Sequence, residues 1–420
     1  MVYLVHPKAL AAIICLSILS CTGETLTRRS NEYGIYCAKN FDCNLNGACN
    51  TTNGRCRCVS GWTGPSCSVL NLAPALMHNG FAMENATTAS WGGSVVLYNG
   101  TYHMYVNVIA NNCPLCTFAT NSHIVHATSI TPDGPYTYRD VALPAFSANP
   151  QVVLYKEEGV GRTKFALFHT GNADAAVATV CNACVNGQPP TTCACRLPST
   201  NAAATQAGAS SAGTVVHLST SPSGPWRAVA GPRLCNNPAP MRHRNGSWFL
   251  LCNNQLRRDA RGIYYPIYHT EHLAQPMWRL TSSIRLPYPA NTPRDTSPRV
   301  YEDPFMFQQR DGSWHVIWHV FNGTRPCGEC EDDVISGHHF SLNGIDWQEA
   351  TQQPFGHTIA FENGGSVVVS TRERPTFVRG RDGAFSHIVS AVCKRRSCAP
   401  TRSVNCKYNC NDFTLVQPLL

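Results

Sequence analysis

The stretch "VYEDPFMFQQRDGSWHVIWH" (Val300–His319) places an acidic pair before a proline. It then runs through an alternating apolar segment, turns at Asp311-Gly312 and returns as a second alternating segment. Alternation with period two marks a half-buried strand, and Asp-Gly between two such runs marks a hairpin. Proline is tolerated where a strand begins, because its missing N–H need not join the ladder. The stretch therefore reads as an antiparallel hairpin whose first strand starts at Glu302-Asp303-Pro304.

Hairpins of the same plan recur along the chain: "SWGGSVVLYNGTYHMYVN" (90–107), "NPQVVLYKEEGVGRTKFALFHTGN" (149–172), "NNPAPMRHRNGSWFLLCNN" (236–254) and "ERPTFVRGRDGAFSHIVSAV" (373–392). A second motif alternates with the first, as "VHATSITPDGPY" (125–136), "VHLSTSPSGPW" (216–226), "YHTEHLAQPMW" (268–278) and "HHFSLNGIDW" (338–347). Each is a short strand, a turn and an aromatic start to the next strand. Two successive hairpins make a four-stranded antiparallel blade, and five blades set radially make an all-β, five-bladed β-propeller. Residues 68–420 allow about 71 per blade, enough for four strands and their loops. The fifth blade lacks the second motif, so its outer strands are expected from residues 68–90 or 400–418, which would close the ring. The residues before the prolines are then predicted to meet at the central channel. They are Trp91, Asn149, Asn237, Asp303 and Arg374, with Glu302 and Glu373 one position earlier.

Composition agrees with a turn-rich β protein: 420 residues with 31 glycines, 28 prolines and 14% charged residues. The net charge of +8 comes without a dense basic tract; "KRRS" (394–397) reads as a solvated loop, so no nucleic-acid partner is expected. Residues 1–23 read as a signal peptide, with Lys8 before the apolar run Ala9–Leu19 and cleavage near Ser20 or Gly23. No later segment suits a membrane span, so the expected location is secreted and extracellular. Of 22 cysteines, 20 lie beyond Cys21, an even number suited to pairing in an oxidising compartment. Sequons begin at Asn50, Asn85, Asn99, Asn245 and Asn322, the last three at Asn-Gly tips.

Residues 37–67, "CAKNFDCNLNGACNTTNGRCRCVSGWTGPSC", space six cysteines as C-x5-C-x5-C-x6-C-x-C-x8-C. Spacing alone leaves fifteen connectivities open. The stretch resembles an EGF-like domain over its whole length, and the resemblance implies pairings Cys37–Cys49, Cys43–Cys56 and Cys58–Cys67. About 30 residues bury too little core to fold without such crosslinks. "NEYGIY" (31–36) lacks the full acidic pattern of the family's calcium-binding members. The module reads as a spacer or a docking module, with a cell-surface protein as a possible partner.

The remainder, over residues 75–395, resembles the five-bladed superfamily of arabinanases, levansucrases and invertases, most of all glycoside hydrolase family 43. The segments carrying the resemblance are "EDPFMF", "DGSWHVIWHVF", "SGHHFSLNGIDW" and "RERPTFV". It implies a general acid two positions before a proline, which Glu302 and Glu373 both match. It also implies a base Asp at the first blade's start, and there this chain departs, offering "SWGGS"; blades two and three offer Asn149 and Asn237, leaving only Asp303.

Glycoside hydrolysis uses two carboxyl groups flanking the scissile bond. Alternation sends Glu302 and Asp303 to opposite faces, so Glu302 with Glu373 is the more plausible couple. Asp303 would orient a sugar hydroxyl or tune its neighbour. Arg374 could steady a carboxylate, His319 and His338 could bind hydroxyls, and Trp91 offers a face to a sugar ring. Blander roles fit the same residues: Glu302 and Asp303 as loop ties, Glu373 as an ion pair between Arg372 and Arg374, and the asparagines as channel hydrogen-bonders. His126, His217, His269 and His339 repeat blade by blade, which favours packing over chemistry.

Other chemistries lack support. "CPLC" (113–116), "CNAC" (181–184) and "CGEC" (327–330) read as loop disulfides, "HTEH" (269–272) lacks the zinc register, and there is no nucleophile elbow or phosphate loop. No metal and no cofactor are expected. A glycosidic bond in the channel is thus the expected substrate, with a non-catalytic carbohydrate-binding or adhesion protein as the alternative. A protein-binding propeller would instead lack converging carboxylates.

Overall fold

The computed structural model describes residues 37–83, 88–110, 118–156, 161–173, 213–253, 258–259, 262–286, 300–321, 334–369, 371–393 and 412–420. The signal-peptide reading of 1–23, the three C-x-x-C loops and the sequons at Asn85 and Asn322 lie outside these residues.

The repeated hairpins form a five-bladed propeller. Blade 1 is Ser90–Tyr98, Thr101–Ile109, Ser122–Ser129 and Thr137–Leu143, paired antiparallel in that order. Blade 2 is Ala148–Lys156, Thr163–Thr170, Thr214–Ser219 and Arg227–Ala230. Blade 3 is Ala239–Arg242, Trp248–Leu251, Gly262–Thr270 and Arg279–Leu286, with Arg258–Asp259 added beside its third strand. Blade 4 is Val300–Gln308, Trp314–Phe321, Ser336–Ser341 and Gln348–Glu349. Blade 5 takes Thr371–Arg379 and Phe385–Cys393 from its hairpin and its third strand, Asp412–Pro418, from the end of the chain. Phe81 bridges Thr414 on the outer side of that strand. Of the two stretches expected to complete blade 5, the C-terminal one supplies its third strand and residues 68–90 contribute the Phe81 bridge. Its inner strand packs beside that of blade 1, so the last blade is stitched from both ends of the propeller sequence.

Alternation along each strand buries one row of side chains against each neighbouring blade. Met241, Ile267 and Tyr265 of blade 3 meet Met306, Val316 and Trp318 of blade 4, all fully or nearly buried. A second apolar cluster joins blades 2 and 3 through Phe168, Trp248 and Leu250.

The N-terminal module carries the disulfides Cys37–Cys49, Cys43–Cys56 and Cys58–Cys67. A fourth, Cys235–Cys252, ties the start of blade 3 to the end of its second strand. The module is packed onto the propeller. Trp62 is buried with its ring 5.0 Å from His338, and Phe41 meets Phe340 edge-on at 5.0 Å. Ser68 Oγ donates to Gln352 Oε1 at 2.6 Å, and Gly61 N–H donates to the Leu420 carbonyl at 2.7 Å. Aromatic contacts of this kind contribute about 1 kcal/mol each beyond the area they bury.

His338 accordingly belongs to this seam and not to the channel. It is fully buried, and its Nε2 lies 3.0 Å from His315 Nδ1 with the rings stacked. Blades 1 and 2 repeat the device with His103–His126 and His169–His217, each at 2.9 Å. In each pair one ring nitrogen donates and the other accepts, which requires the accepting nitrogen to be unprotonated. A proton on either ring adds a charge inside a core, and protonating both forces two N–H groups together. Burial accordingly lowers His103 and His217 to about 4 and His169 and His315 to about 3.

Unfolded histidines titrate near 6.5, so between that value and about 4 the unfolded chain binds more protons than the native one. Stability is then complete above pH 6.5 and declines as pH falls through this window. Urea unfolding at pH 7.5, 6, 5 and 4 should show ~3 kcal/mol or more of loss before the carboxylates protonate; a flat profile from pH 6.5 to 4 would refute the neutral pairing.

Candidate active site

Every inner strand meets the channel through a residue in the left-handed conformation. These are Gly92, Asn149, Asn237, Asp303 and Arg374, with φ of 71°, 54°, 43°, 49° and 51°. In blades 1, 2, 4 and 5 the pairing with the second strand shifts register at this point. Such a bulge re-aims side chains that regular alternation would send apart. Gly, Asn and Asp tolerate positive φ; Arg does so rarely and needs its surroundings to hold it.

Two sequence readings are corrected here. Gly92, not Trp91, is blade 1's counterpart of Asp303, and a Cβ on Gly92 would lie 2.8 Å from Arg374 Cβ. Trp91 falls at the position of Glu302 and Glu373. It is 3% exposed and packs with Ile109 and Ala391, so its ring is not a sugar platform. The bulge also overrides the alternation that separated Glu302 from Asp303. One carboxylate oxygen of each and a ring nitrogen of His319 lie within 4.8 Å of one another.

Asp303 organises the ring. Its Oδ1 accepts from Asn237 Nδ2 at 2.7 Å and from Asn149 Nδ2 at 3.5 Å, and its Oδ2 lies 3.7 Å from Arg374 Nε. Asn149 also donates through Nδ2 to Asn237 Oδ1. Arg374 donates from one terminal nitrogen to the Trp91 carbonyl at 2.9 Å and to Asn107 Oδ1 at 3.5 Å. Burial lowers the Arg374 guanidinium from its usual range, opposed by Asp303, Glu373 and Glu302.

Glu373 accepts from Trp91 Nε1 at 3.2 Å, and its other oxygen lies 3.9 Å from His319 Nε2. Arg372 turns to the opposite face, where it donates to Gln417 Oε1 at 2.9 Å and stacks on Phe355. The ion pair read for Glu373 with Arg372 is therefore not formed. Glu302 pairs in register with His319 across the hairpin and is partly exposed, whereas Asp303 and Glu373 are 6% and 4% exposed. Glu302 is thus the most accessible of the three carboxylates. The cluster of Glu302, Asp303 and His319 has the donors for a cation, but the Arg374 charge beside Asp303 opposes one.

Sequence reasoning missed Asn107, near the end of the second strand of blade 1, and Thr170, which ends that of blade 2. Asn107 Oδ1 accepts the Asn149 N–H at 3.3 Å and Thr170 Oγ1 accepts the Asn237 N–H at 3.0 Å. A signal was present: each is a polar residue late in an apolar strand, as His319 is in blade 4. Of the sequons, Asn50, Asn99 and Asn245 are exposed, the last two on hairpin turns.

Comparison with known proteins follows from this architecture. The family model of the Teneurin-like EGF domain matches residues 40–70. No curated protein sequence matches the chain. Among solved structures, an α-L-arabinofuranosidase from Podospora anserina aligns over 86% of this chain and 97% of its own, with 9% identity and a TM-score of 0.49. A thermostable family-43 glycoside hydrolase aligns over 79% and 90%, with 11% identity and a TM-score of 0.47. A family 117 glycoside hydrolase from Zobellia galactanivorans aligns over 84% and 90%, with 12% identity and a TM-score of 0.43. These are likenesses of backbone course only. Among the described residues no helix is long and apolar enough to cross a membrane.

Removing Arg374 would leave Asp303 buried without its counter-charge. Arg374→Ala should destabilise the propeller by about 3 kcal/mol, measured by urea unfolding at pH 7.5. A loss below about 1 kcal/mol would mean the pair does not hold the ring.

Proposed function

We propose that the chain is a secreted glycosidase-like protein that cleaves a glycosidic bond of an oligo- or polysaccharide at the carboxylate-bearing end of the propeller channel. One observation carries the reading. The bulge at Asp303 gathers Glu302, Asp303 and His319 within 4.8 Å, with Glu373 of the next blade 3.9 Å from His319.

Glu302, reachable from solvent, donates the proton to the leaving oxygen as the glycosidic bond breaks, and water ends on the anomeric carbon in its place. Glu373 is the second carboxylate, oriented by Trp91 and linked to Glu302 through His319. Asp303 is clamped by Asn237 and Arg374, so it supplies a fixed negative charge where the sugar develops oxocarbenium character. The asparagines supply donors and acceptors for hydroxyl groups, whereas His319, expected to bind hydroxyls, is fully buried and acts only between the carboxylates. The disulfides of the N-terminal module support an oxidising, extracellular setting.

A second reading has its own observation. Asp303 and Glu373 are both nearly buried and engaged by neighbouring side chains. That suits a channel that binds carbohydrate without cleaving it.

Hydrolysis of plant, algal and microbial polysaccharides by wild type and Glu302→Gln separates the two. Product from wild type with about a 100-fold or greater loss in the variant supports proton transfer by Glu302. Equal glycan binding by both proteins with no sugar released would favour the non-catalytic reading.

A further inference from the structure

The five inner strands run in one direction, so the channel has a second, chemically different end. Below the carboxylate ring it widens into a cavity of about 640 Å³, walled by the later halves of all five inner strands. Arg242, Arg244, Arg310, Arg379 and Arg381 line it, and no aspartate or glutamate does. Among the described residues none of these arginines pairs with a carboxylate.

The charge is built in by the hairpin turns. Blades 3, 4 and 5 each set an arginine immediately before an Asn-Gly or Asp-Gly tip: Arg244-Asn245-Gly246, Arg310-Asp311-Gly312 and Arg381-Asp382-Gly383. The turn carboxylates are occupied by their own backbone. Asp311 Oδ1 accepts the Ser313 N–H at 2.9 Å and Asp382 Oδ1 accepts the Ala384 N–H at 3.0 Å.

Three of the guanidinium groups are held in place. Arg242 donates to the Lys156 carbonyl at 2.8 Å, and Arg244 reaches from blade 3 to the Gln309 and Arg310 carbonyls of blade 4. Arg379 donates to the Gly383 carbonyl at 2.8 Å and lies over the Phe385 ring at 4.3 Å. Arg242 Nε is buried with no hydrogen-bond partner among the described residues. Like charges gathered and fixed in this way repel one another until an anion joins them, and burial together with Arg310 accordingly lowers Arg379.

Two aromatic rings, Phe305 and Phe385, line the cavity partly exposed, with Phe307 and Phe377 buried behind them. We propose that this far mouth is a second binding site, for an oligosaccharide bearing sulfate or carboxylate groups. Guanidinium forks match such oxyanions in paired geometry, and the partly exposed Phe305 and Phe385 offer apolar contact to a sugar ring. A cavity of this volume is the size of small-ligand sites and too narrow for a nucleic-acid duplex. The site is independent of cleavage at the opposite end.

The test is calorimetric titration of the full chain, enzymatically deglycosylated because Asn245 sits on one of the tips. The probes are a heparin-derived hexasaccharide, hexagalacturonate and neutral cellohexaose. The charged probes should bind, the neutral one should not, and Arg310→Ala with Arg381→Ala should weaken binding at least about tenfold. Glu302→Gln should bind as wild type does. Sulfated and carboxylate probes together show which oxyanion suffices. If the double variant loses the wild-type melting temperature, Arg381→Gln alone, at an exposed position, gives the same comparison with a smaller loss. The proposal fails if neither charged probe binds or if the arginine variants bind unchanged. It also fails if polyglutamate or a short DNA duplex binds equally well, since the mouth would then sense charge alone.

Discussion

Asp303 bonded to Asn237 and facing Arg374 is the interaction on which the centre of this molecule depends. Five inner strands must begin close to one axis, and backbones crowded there have few regular ways to turn. The solution is a left-handed residue and a bulge, repeated from blade to blade. The left-handed state is unfavourable for Arg374, and a buried carboxylate is unfavourable alone. Each is tolerated because it satisfies the other, and the asparagines of blades 2 and 3 complete the ring.

The same irregularity creates the chemistry. A regular strand would present Glu302 and Asp303 to opposite sides; the bulge turns both toward His319 and toward Glu373 of the next blade. Structural and functional roles therefore share residues. Asp303 holds the ring together and sets the local charge, while Glu302, one position earlier and less constrained, remains accessible. The proton donor in the proposed reaction is thus the most accessible of the three carboxylates.

Polarity also governs the periphery. Hydrogen-bonded histidine pairs in blades 1, 2 and 4 replace what would ordinarily be apolar contacts between strands. In blade 4 the pair also receives Trp62 of the disulfide module, so module and propeller share one packed seam. At the two ends of the channel the charges segregate, with carboxylates where the inner strands begin and arginines where they end. Parallel inner strands make this possible, since every blade contributes its start to one mouth and its turn to the other.

The amino-acid sequence by itself determined the architecture. Period-two alternation, Gly-centred turns and recurrent prolines are local signals, and five repeats leave little choice of fold. The cysteine spacing, through its likeness to a known module, gave pairings that the disulfides reproduce. It also marked the strand starts as the places where Asn149, Asn237, Asp303 and Arg374 would converge. What only the tertiary structure decided is which neighbours face each other. Trp91 and His338 looked available because sequence carries no measure of burial across blades. Glu302 and Asp303 looked divided because alternation assumes a regular strand, and a bulge stabilised by partners 66 and 154 residues away has no local signature. Asn107 and Thr170 escaped notice for the same reason: their function is to accept hydrogen bonds from a neighbouring blade, and that adjacency exists only after the ring has closed.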